Sequence, residues 1–149
     1  MSYGIILGGS SHHRDSIFKI QKRIIIRIIT NTSRHDSCHH LCKQLQISPL
    51  PSQYIFSLLV FVNKNRGLLL SNSAIHDIHT HYNYNLHLPS TNLTLVQKGV
   101  LYSGSRICNH LSLSTKILLN DAKFFKSTLR SCRVEHMFYS LDEYYQLTS

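Results

Sequence analysis

The sequence predicts a mainly α-helical protein, a small domain of about five helices, with one short β-hairpin allowed around residues 84–102. Apolar residues recur at helical spacing in three separate stretches, which favours amphipathic helices. Pro, Asn and Ser residues lie where those stretches begin or end, as helix boundaries require. The chain has 149 residues, so we treat residues 1–149 as a single domain or domain fragment.

The first predicted helix lies within residues 17–30, IFKIQKRIIIRIIT. On a helical wheel, isoleucines occupy one side of this segment: Ile17, Ile20, Ile24, Ile25 and Ile28. Cations occupy the other side: Lys19, Lys22 and Arg23. Ile26 interrupts the basic side. A strand remains an alternative for this segment, because isoleucine is a mediocre helix former.

Two more helices are predicted before residue 70. Residues 31–33 break the first helix, and a second is expected over residues 34–46. Pro51 suits the first turn of a third helix, which Gly67 would end. Its buried stripe follows the i, i+3, i+4, i+7 spacing: Ile55, Leu58, Leu59 and Val62. A short helix is expected around residues 73–79.

The segment from residue 80 to 104 differs in composition. Asn, Tyr, Thr and Ser dominate it, and Pro89, Gly99 and Gly104 interrupt it. This composition predicts short strands at residues 86–88 and 93–102, which would form the hairpin.

The last third of the chain predicts two further helices. One spans residues 121–135 with Asn120 as its cap, and its apolar side consists of Ala122, Phe125, Leu129 and Cys132. The other begins at Ser140, because Ser140 and Glu143 have the spacing of a capping box.

The charge of the chain favours a polyanionic partner. The net charge is +9, from 16 Lys and Arg against 7 Asp and Glu. Such a balance is typical of proteins that contact RNA or DNA backbones, although a solvated basic face is the simpler alternative. Two predicted helices carry the candidate nucleic-acid contacts: Lys19, Lys22, Arg23, Arg27, Lys123, Lys126, Arg130 and Arg133. Three tyrosines are candidates for base stacking: Tyr82, Tyr84 and Tyr102.

Catalytic carboxylates are not evident. Nucleotidyl transfer with two Mg²⁺ ions needs paired carboxylates, but the only adjacent acidic pair is Asp142–Glu143, within the capping box. We therefore predict that this chain is not an enzyme by itself and requires no cofactor.

The four cysteines do not suggest a disulfide scaffold, and the N-terminus does not resemble a signal peptide, so we expect an intracellular protein, nuclear or cytoplasmic. Cys38 and Cys42 are spaced i, i+4 and form a weak candidate zinc site, with no second ligand pair at a suitable distance. The longest apolar stretch, residues 54–62, is too short to span a bilayer, so no membrane partner is expected.

Six segments follow one another along the whole chain: YGII at 3–6, IQKR at 20–23, RHDSC at 34–38, LPSQYIFSLL at 50–59, NLHLPSTNLT at 85–94 and EHMFYSLDEY at 135–144. In this order they resemble the region downstream of the polymerase domain in reverse transcriptases of jockey-like non-LTR retrotransposons. This chain departs from the family by one extra isoleucine in the run 24–26. It also has His39 and His81 where the family has arginine.

The resemblance implies a mostly helical, non-catalytic C-terminal region of an RNA-directed DNA polymerase that holds RNA or primer-template. The partners it implies are nucleic acid and the polymerase domain of the parent protein. Two alternatives remain: a free-standing basic nucleic-acid-binding or interaction protein co-opted from the element, and a relic without function.

Overall fold

The computed structural model describes residues 3–8, 11, 13–31, 38–76 and 84–147. Within these residues the protein is mainly α-helical, as predicted, with ten α-helices in place of about five. A π-helical turn covers Ile25–Ile29, and 3₁₀ turns cover Arg66–Leu68 and Leu118–Asn120. The α-helices are α1 Tyr3–Gly8, α2 Arg14–Ile24, α3 Cys38–Gln44, α4 Leu50–Lys64, α5 Asn72–His76, α6 Thr94–Gln97, α7 Val100–Asn109, α8 Leu113–Ile117, α9 Ala122–Glu135 and α10 Leu141–Leu147.

Helix α4 forms the centre of the main core and was predicted well. Pro51 lies in its first turn, and all four members of the predicted stripe are buried. Helices α1, α7 and α9 pack around it. Because α4 contacts helices on several sides, Tyr54 and Val60, which lie off the predicted stripe, are buried as well.

The predicted hairpin around residues 84–102 is wrong. Residues 94–97 and 100–109 are helical instead, and Gly99 is the N-cap of α7. Gly104 lies inside α7, where it permits a close crossing with α4: a Cβ at this position would lie 2.6 Å from Cγ2 of Val62. The glycines that indicated turns thus serve a helix cap and a helix contact.

A single antiparallel bridge, between Ser71 and Leu86, is the strand pairing seen among the described residues. The backbone of Leu86 pairs mainly with a side chain. Its N–H donates to Oδ1 of Asn109 at 2.7 Å, and its carbonyl accepts from Nδ2 of Asn109 at 2.8 Å. The amide of Asn109 therefore completes the hydrogen bonds that a neighbouring strand would have supplied.

The segment Arg14–Ile24 is helical, so the strand alternative is excluded, but most of the predicted isoleucine side is exposed. Ile17, Ile20 and Ile28 are 51%, 54% and 75% exposed, and Ile25 is the one buried member of that side. Phe18 is buried from outside it, and Gln21 accepts a hydrogen bond from the N–H of Leu50 at 2.9 Å. The buried side of α2 is thus displaced from the isoleucine side by roughly a quarter turn.

The π-helical turn follows α2 directly and includes part of the isoleucine run. A π turn closes i→i+5 hydrogen bonds, so it holds one residue more than an α turn. The N–H of Thr30, for example, donates to the carbonyl of Ile25 at 3.3 Å. This is the geometry that one extra residue within a helix would produce, and the turn begins within the run 24–26. The extra isoleucine relative to the family stays a prediction.

Other predicted boundaries need small corrections. The helix expected over residues 34–46 spans Cys38–Gln44, and residues 34–37 lie outside the described residues. Helix α9 is capped by Asp121, whose side chain accepts hydrogen bonds from Lys123 and Phe124, and not by Asn120. Aspartate at this position satisfies two free N–H groups of the first turn.

The predicted capping box of α10 is present with one change: the Glu143 side chain accepts from the residue before the N-cap. Oγ of Ser140 accepts from the N–H of Glu143 at 3.1 Å, and Oε2 of Glu143 accepts from the N–H of Tyr139 at 2.6 Å. The acidic pair Asp142–Glu143 therefore begins a helix. Among the described helices, none is both long and apolar enough to cross a membrane.

Candidate nucleic-acid interface

Helix α9 presents a basic stripe next to a buried apolar side. Phe125 is fully buried and Leu129 is 5% exposed, which fixes the rotation of the helix against the core. Lys126, Arg130 and Arg133 are spaced i, i+4, i+7 and lie on one side of α9. These three predicted contacts line one groove at the protein surface.

The opposite wall of this groove comes from α4. Its lining residues follow the spacing of a single helix side: Gln53, Phe56, Ser57, Val60 and Lys64. Ile5 of α1 also contributes to the lining, and the groove has a volume of about 390 Å³. We call the concavity between α4 and α9 the basic groove. It gathers four cations from two helices: Lys64, Lys126, Arg130 and Arg133.

The basic groove has no acidic side chain among its lining residues. In the described part of the chain the one ion pair joins Arg14 and Asp15, which do not line the groove. Lys64 and Arg130 are exposed, while Lys126 and Arg133 are partly buried. The like charges of the groove repel one another, and a polyanion in the groove would relieve that repulsion.

An aromatic ring positions one of the four cations. The guanidinium carbon of Arg133 lies 4.9 Å from the ring centroid of Phe56. A cation–π contact at a partly exposed site contributes about 0.5–1 kcal/mol. Phe56 thus holds Arg133 at the groove.

The cations of α2 are arranged differently. Lys19 and Arg23 are exposed and do not line the basic groove. Nζ of Lys22 lies 4.4 Å from the ring centroid of Phe18 and 5.8 Å from that of Tyr139, so it contacts aromatic rings of the protein itself. The structure does not describe the side chain of Arg27. Of the predicted contacts Lys19, Lys22 and Arg23, none lines the basic groove.

Lys64 lines the groove although it was not among the predicted contacts. In the sequence it is only a cation near the end of the third predicted helix. Its spacing from Phe56 and Val60 places it on the side of α4 opposite the buried stripe, and this was the signal available in the sequence. Lys123, by contrast, was predicted to bind and is exposed outside the groove.

Lys116 is a cation that the fold itself uses. Its Nζ donates to Oδ1 of Asn85 at 2.8 Å and to the carbonyl of Asn109 at 2.6 Å. Burial lowers its pKa from the ordinary value. Because it joins the end of α7 to the extended segment near Leu86, it does not contribute to the basic groove.

The predicted cysteine pair is close together. The Sγ atoms of Cys38 and Cys42 lie 3.6 Å apart on successive turns of α3. Across the described residues, no group of three or more His, Cys, Asp or Glu side chains is placed to hold a metal ion. His35, which precedes Cys38 by three positions in the sequence, lies outside the described residues.

A second, larger groove is apolar. It has a volume of about 650 Å³, and its lining is mainly apolar, from residues 68–70, from α5, from residues 87–89 and from α6 and α7. Tyr102, a predicted stacking residue, lines this groove and not the basic one. Tyr84 is half-exposed, and Tyr82 lies outside the described residues. Without cations in its lining, this groove is poorly suited to a phosphate backbone.

The fold and the basic groove define a small, basic, mainly helical protein with a concave cationic surface. No protein-family model matches the chain, and neither a curated protein nor a solved structure matches it significantly.

Proposed function

We propose that the protein binds the sugar–phosphate backbone of RNA or DNA in the basic groove. The observation that carries this proposal is the convergence of four cations from α4 and α9 on one concavity whose lining has no carboxylate. Cations that neutralise phosphates release condensed counterions, and this release supplies most of the affinity of sequence-independent binding. Backbone contact of this kind requires no catalytic group.

We also propose that the chain is the non-catalytic C-terminal region of a jockey-like non-LTR retrotransposon reverse transcriptase. The support is the ordered series of similar segments along the chain, together with the lack of a paired-carboxylate motif suited to polymerase chemistry. In this proposal the polymerase reaction belongs to another part of the parent protein, and this region holds its nucleic acid.

The exposed isoleucines of α2 and the π turn support the proposal that the chain is part of a larger reverse transcriptase. Ile17, Ile20, Ile24 and Ile28 are each at least 44% exposed. Contiguous exposed apolar residues mark a protein contact or an aggregation hazard. In the proposed parent protein, the polymerase domain covers this surface.

One observation separates this ancestry from its alternatives. Genomic DNA upstream of the codon for Met1 would contain palm-domain codons, including an Asp–Asp motif, if the chain derives from such a polymerase. An unrelated promoter at that position would favour a co-opted, free-standing binding protein. A chain that only aggregates when purified would favour a relic.

The binding proposal is tested by the salt dependence of affinity. Four backbone contacts predict a slope of log K against log salt of about −2.8 for single-stranded RNA and about −3.6 for duplex DNA. Fluorescence anisotropy with labelled oligonucleotides at several salt concentrations measures both slopes. A slope near zero would contradict binding in the basic groove, whatever the ancestry of the chain.

A further inference from the structure

A second apolar cluster lies where α3 packs on the π turn, and it shares no residue with the basic groove. Ile25, Leu41 and Cys42 form its buried centre, and Cys38 and Tyr139 are packed against them. Cys42 is 1% exposed, whereas Cys38 is partly exposed. The cluster thus contains two thiols that differ in their access to solvent.

The two thiols are close enough to react with each other. Their Sγ atoms are 3.6 Å apart, in hydrogen-bonding contact. Residues i and i+4 of a helix have Cα atoms about 6.2 Å apart, from the helical rise and radius. Disulfides accommodate this Cα separation, but their Cβ atoms lie about 3.5–4.5 Å apart, against about 5–6 Å for i, i+4 neighbours of a helix. The first turn of α3 must therefore open when the bond forms.

We propose that Cys38 and Cys42 form a redox-active dithiol that a soluble disulfide oxidant converts into an intrahelical disulfide. The proposal is independent of the proposed function. Cys38 reacts first, because its sulfur is the more exposed of the two. Cys42 then closes the bond, because it lies beside Cys38 and is shielded from large reagents.

The reaction consists of two thiol–disulfide exchanges. With oxidised glutathione, the Cys38 thiolate attacks one sulfur, forms a mixed disulfide and releases one glutathione thiolate. The Cys42 thiolate then attacks the Cys38 sulfur and releases the second glutathione. Both protein thiol protons pass to the two glutathione thiolates, directly or through water. The protein loses two electrons and two protons, and one oxidised glutathione becomes two reduced molecules.

The surroundings make the first step dependent on pH. Burial raises the pKa of Cys38 to about 11, the neighbouring Cys42 thiol raises it as well, and Lys22 of α2 opposes this shift. Tyr139 also faces the pair, and Tyr139 is in turn contacted by His39 and by Glu143 of α10. Since the thiolate attacks, oxidation should accelerate about tenfold from pH 7 to pH 8.

The experiment is peptide mapping of the full, reduced chain after incubation with oxidised glutathione at pH 8. Acid stops the exchange, and alkylation then marks the remaining free thiols. We expect a disulfide between Cys38 and Cys42 within one chain. Cys108 and Cys132 serve as internal controls, because one is buried and the other partly exposed, as in the pair. Among the described residues, the thiol–thiol contact within hydrogen-bonding distance is that of Cys38 with Cys42. Cys108 and Cys132 should not form a disulfide with each other.

Two variants identify the order of the steps. Cys42→Ser should stop at the mixed disulfide of Cys38 with glutathione, and Cys38→Ser should leave Cys42 unmodified over the same time. The mapping of the unsubstituted chain needs neither variant, so the test holds even if one of them unfolds. A mixed disulfide that accumulates on Cys38 of the unsubstituted chain, or a Cys38–Cys42 bond found only between chains, would overturn the proposal.

Discussion

Helices α2 and α9 have similar amphipathic sequences, yet the structure uses them differently. In α9 the apolar residues Phe125 and Leu129 are buried, and three of its cations meet α4 in the basic groove. In α2 most isoleucines are exposed, and its described cations do not line that groove. An amphipathic pattern thus indicates a helix, but the packing partner decides which side becomes a surface for binding.

The π turn adds to this contrast. Helix α9 continues regularly for 14 residues, so its cations stay in phase with its buried side. The segment after α2 winds as a π turn over Ile25–Ile29, which holds one residue more than an α turn. The regular helical wheel used for residues 17–30 therefore does not apply beyond Ile24.

The largest expected difference between the two helices concerns their apolar residues. Phe125→Ala should lower the free energy of unfolding by about 3–5 kcal/mol, because it leaves a cavity in the core. Ile20→Ala in α2 should change it by less than about 0.5 kcal/mol, because the side chain is largely exposed. Urea denaturation followed by circular dichroism measures both. If Phe125→Ala and Ile20→Ala lowered the free energy of unfolding equally, the isoleucine side of α2 would be buried in solution.

A second pair of variants tests what holds the α4 wall of the basic groove. Gly104→Ala places a Cβ 2.6 Å from Val62, and overpacking of this kind costs about 1–3 kcal/mol. Gly67→Ala is the matched control, since no atom beyond the adjacent residues of the chain lies within 4 Å of the added carbon. We expect a lower melting temperature for Gly104→Ala alone. If both variants melted alike, the close crossing of α4 and α7 would be excluded.

A smaller effect is expected when one residue is removed from the π turn. Deletion of Ile26 should turn the π turn into a continuous α-helix and change the free energy of unfolding by less than about 1 kcal/mol. Deletion of Ser127 from the regular helix α9 is the control. It rotates the following residues of α9 by about 100° and moves Leu129 out of the core. The free energy of unfolding should therefore fall several-fold more than after deletion of Ile26. If both deletions lowered the free energy of unfolding equally, the π turn would not contain an extra residue that can be removed without disturbing the fold.

The sequence predicted those parts of the structure that depend on local periodicity. The stripe of α4, the two sides of α9 and the capping box of α10 follow from spacing along one helix. Helix α7 was not predicted, because Gly104 was interpreted as an interruption of the chain. Its contact with Val62 of α4 depends on the packing of two helices and cannot be inferred from local spacing. Lys64 was missed as a site residue for the same kind of reason: its place in the groove depends on α9.

The most direct test of binding in the basic groove compares charge reversal in the two regions. Lys64→Glu with Arg130→Glu and Lys19→Glu with Arg23→Glu exchange the same residue types at exposed positions, and each pair lowers the net charge from +9 by four units to +5. The groove pair should weaken binding to single-stranded RNA about 10- to 100-fold and halve the salt slope from about −2.8 to about −1.4. The α2 pair should leave the slope unchanged. Equal losses of affinity and slope for both pairs would show that net charge alone attracts the nucleic acid and that the basic groove is not its binding site.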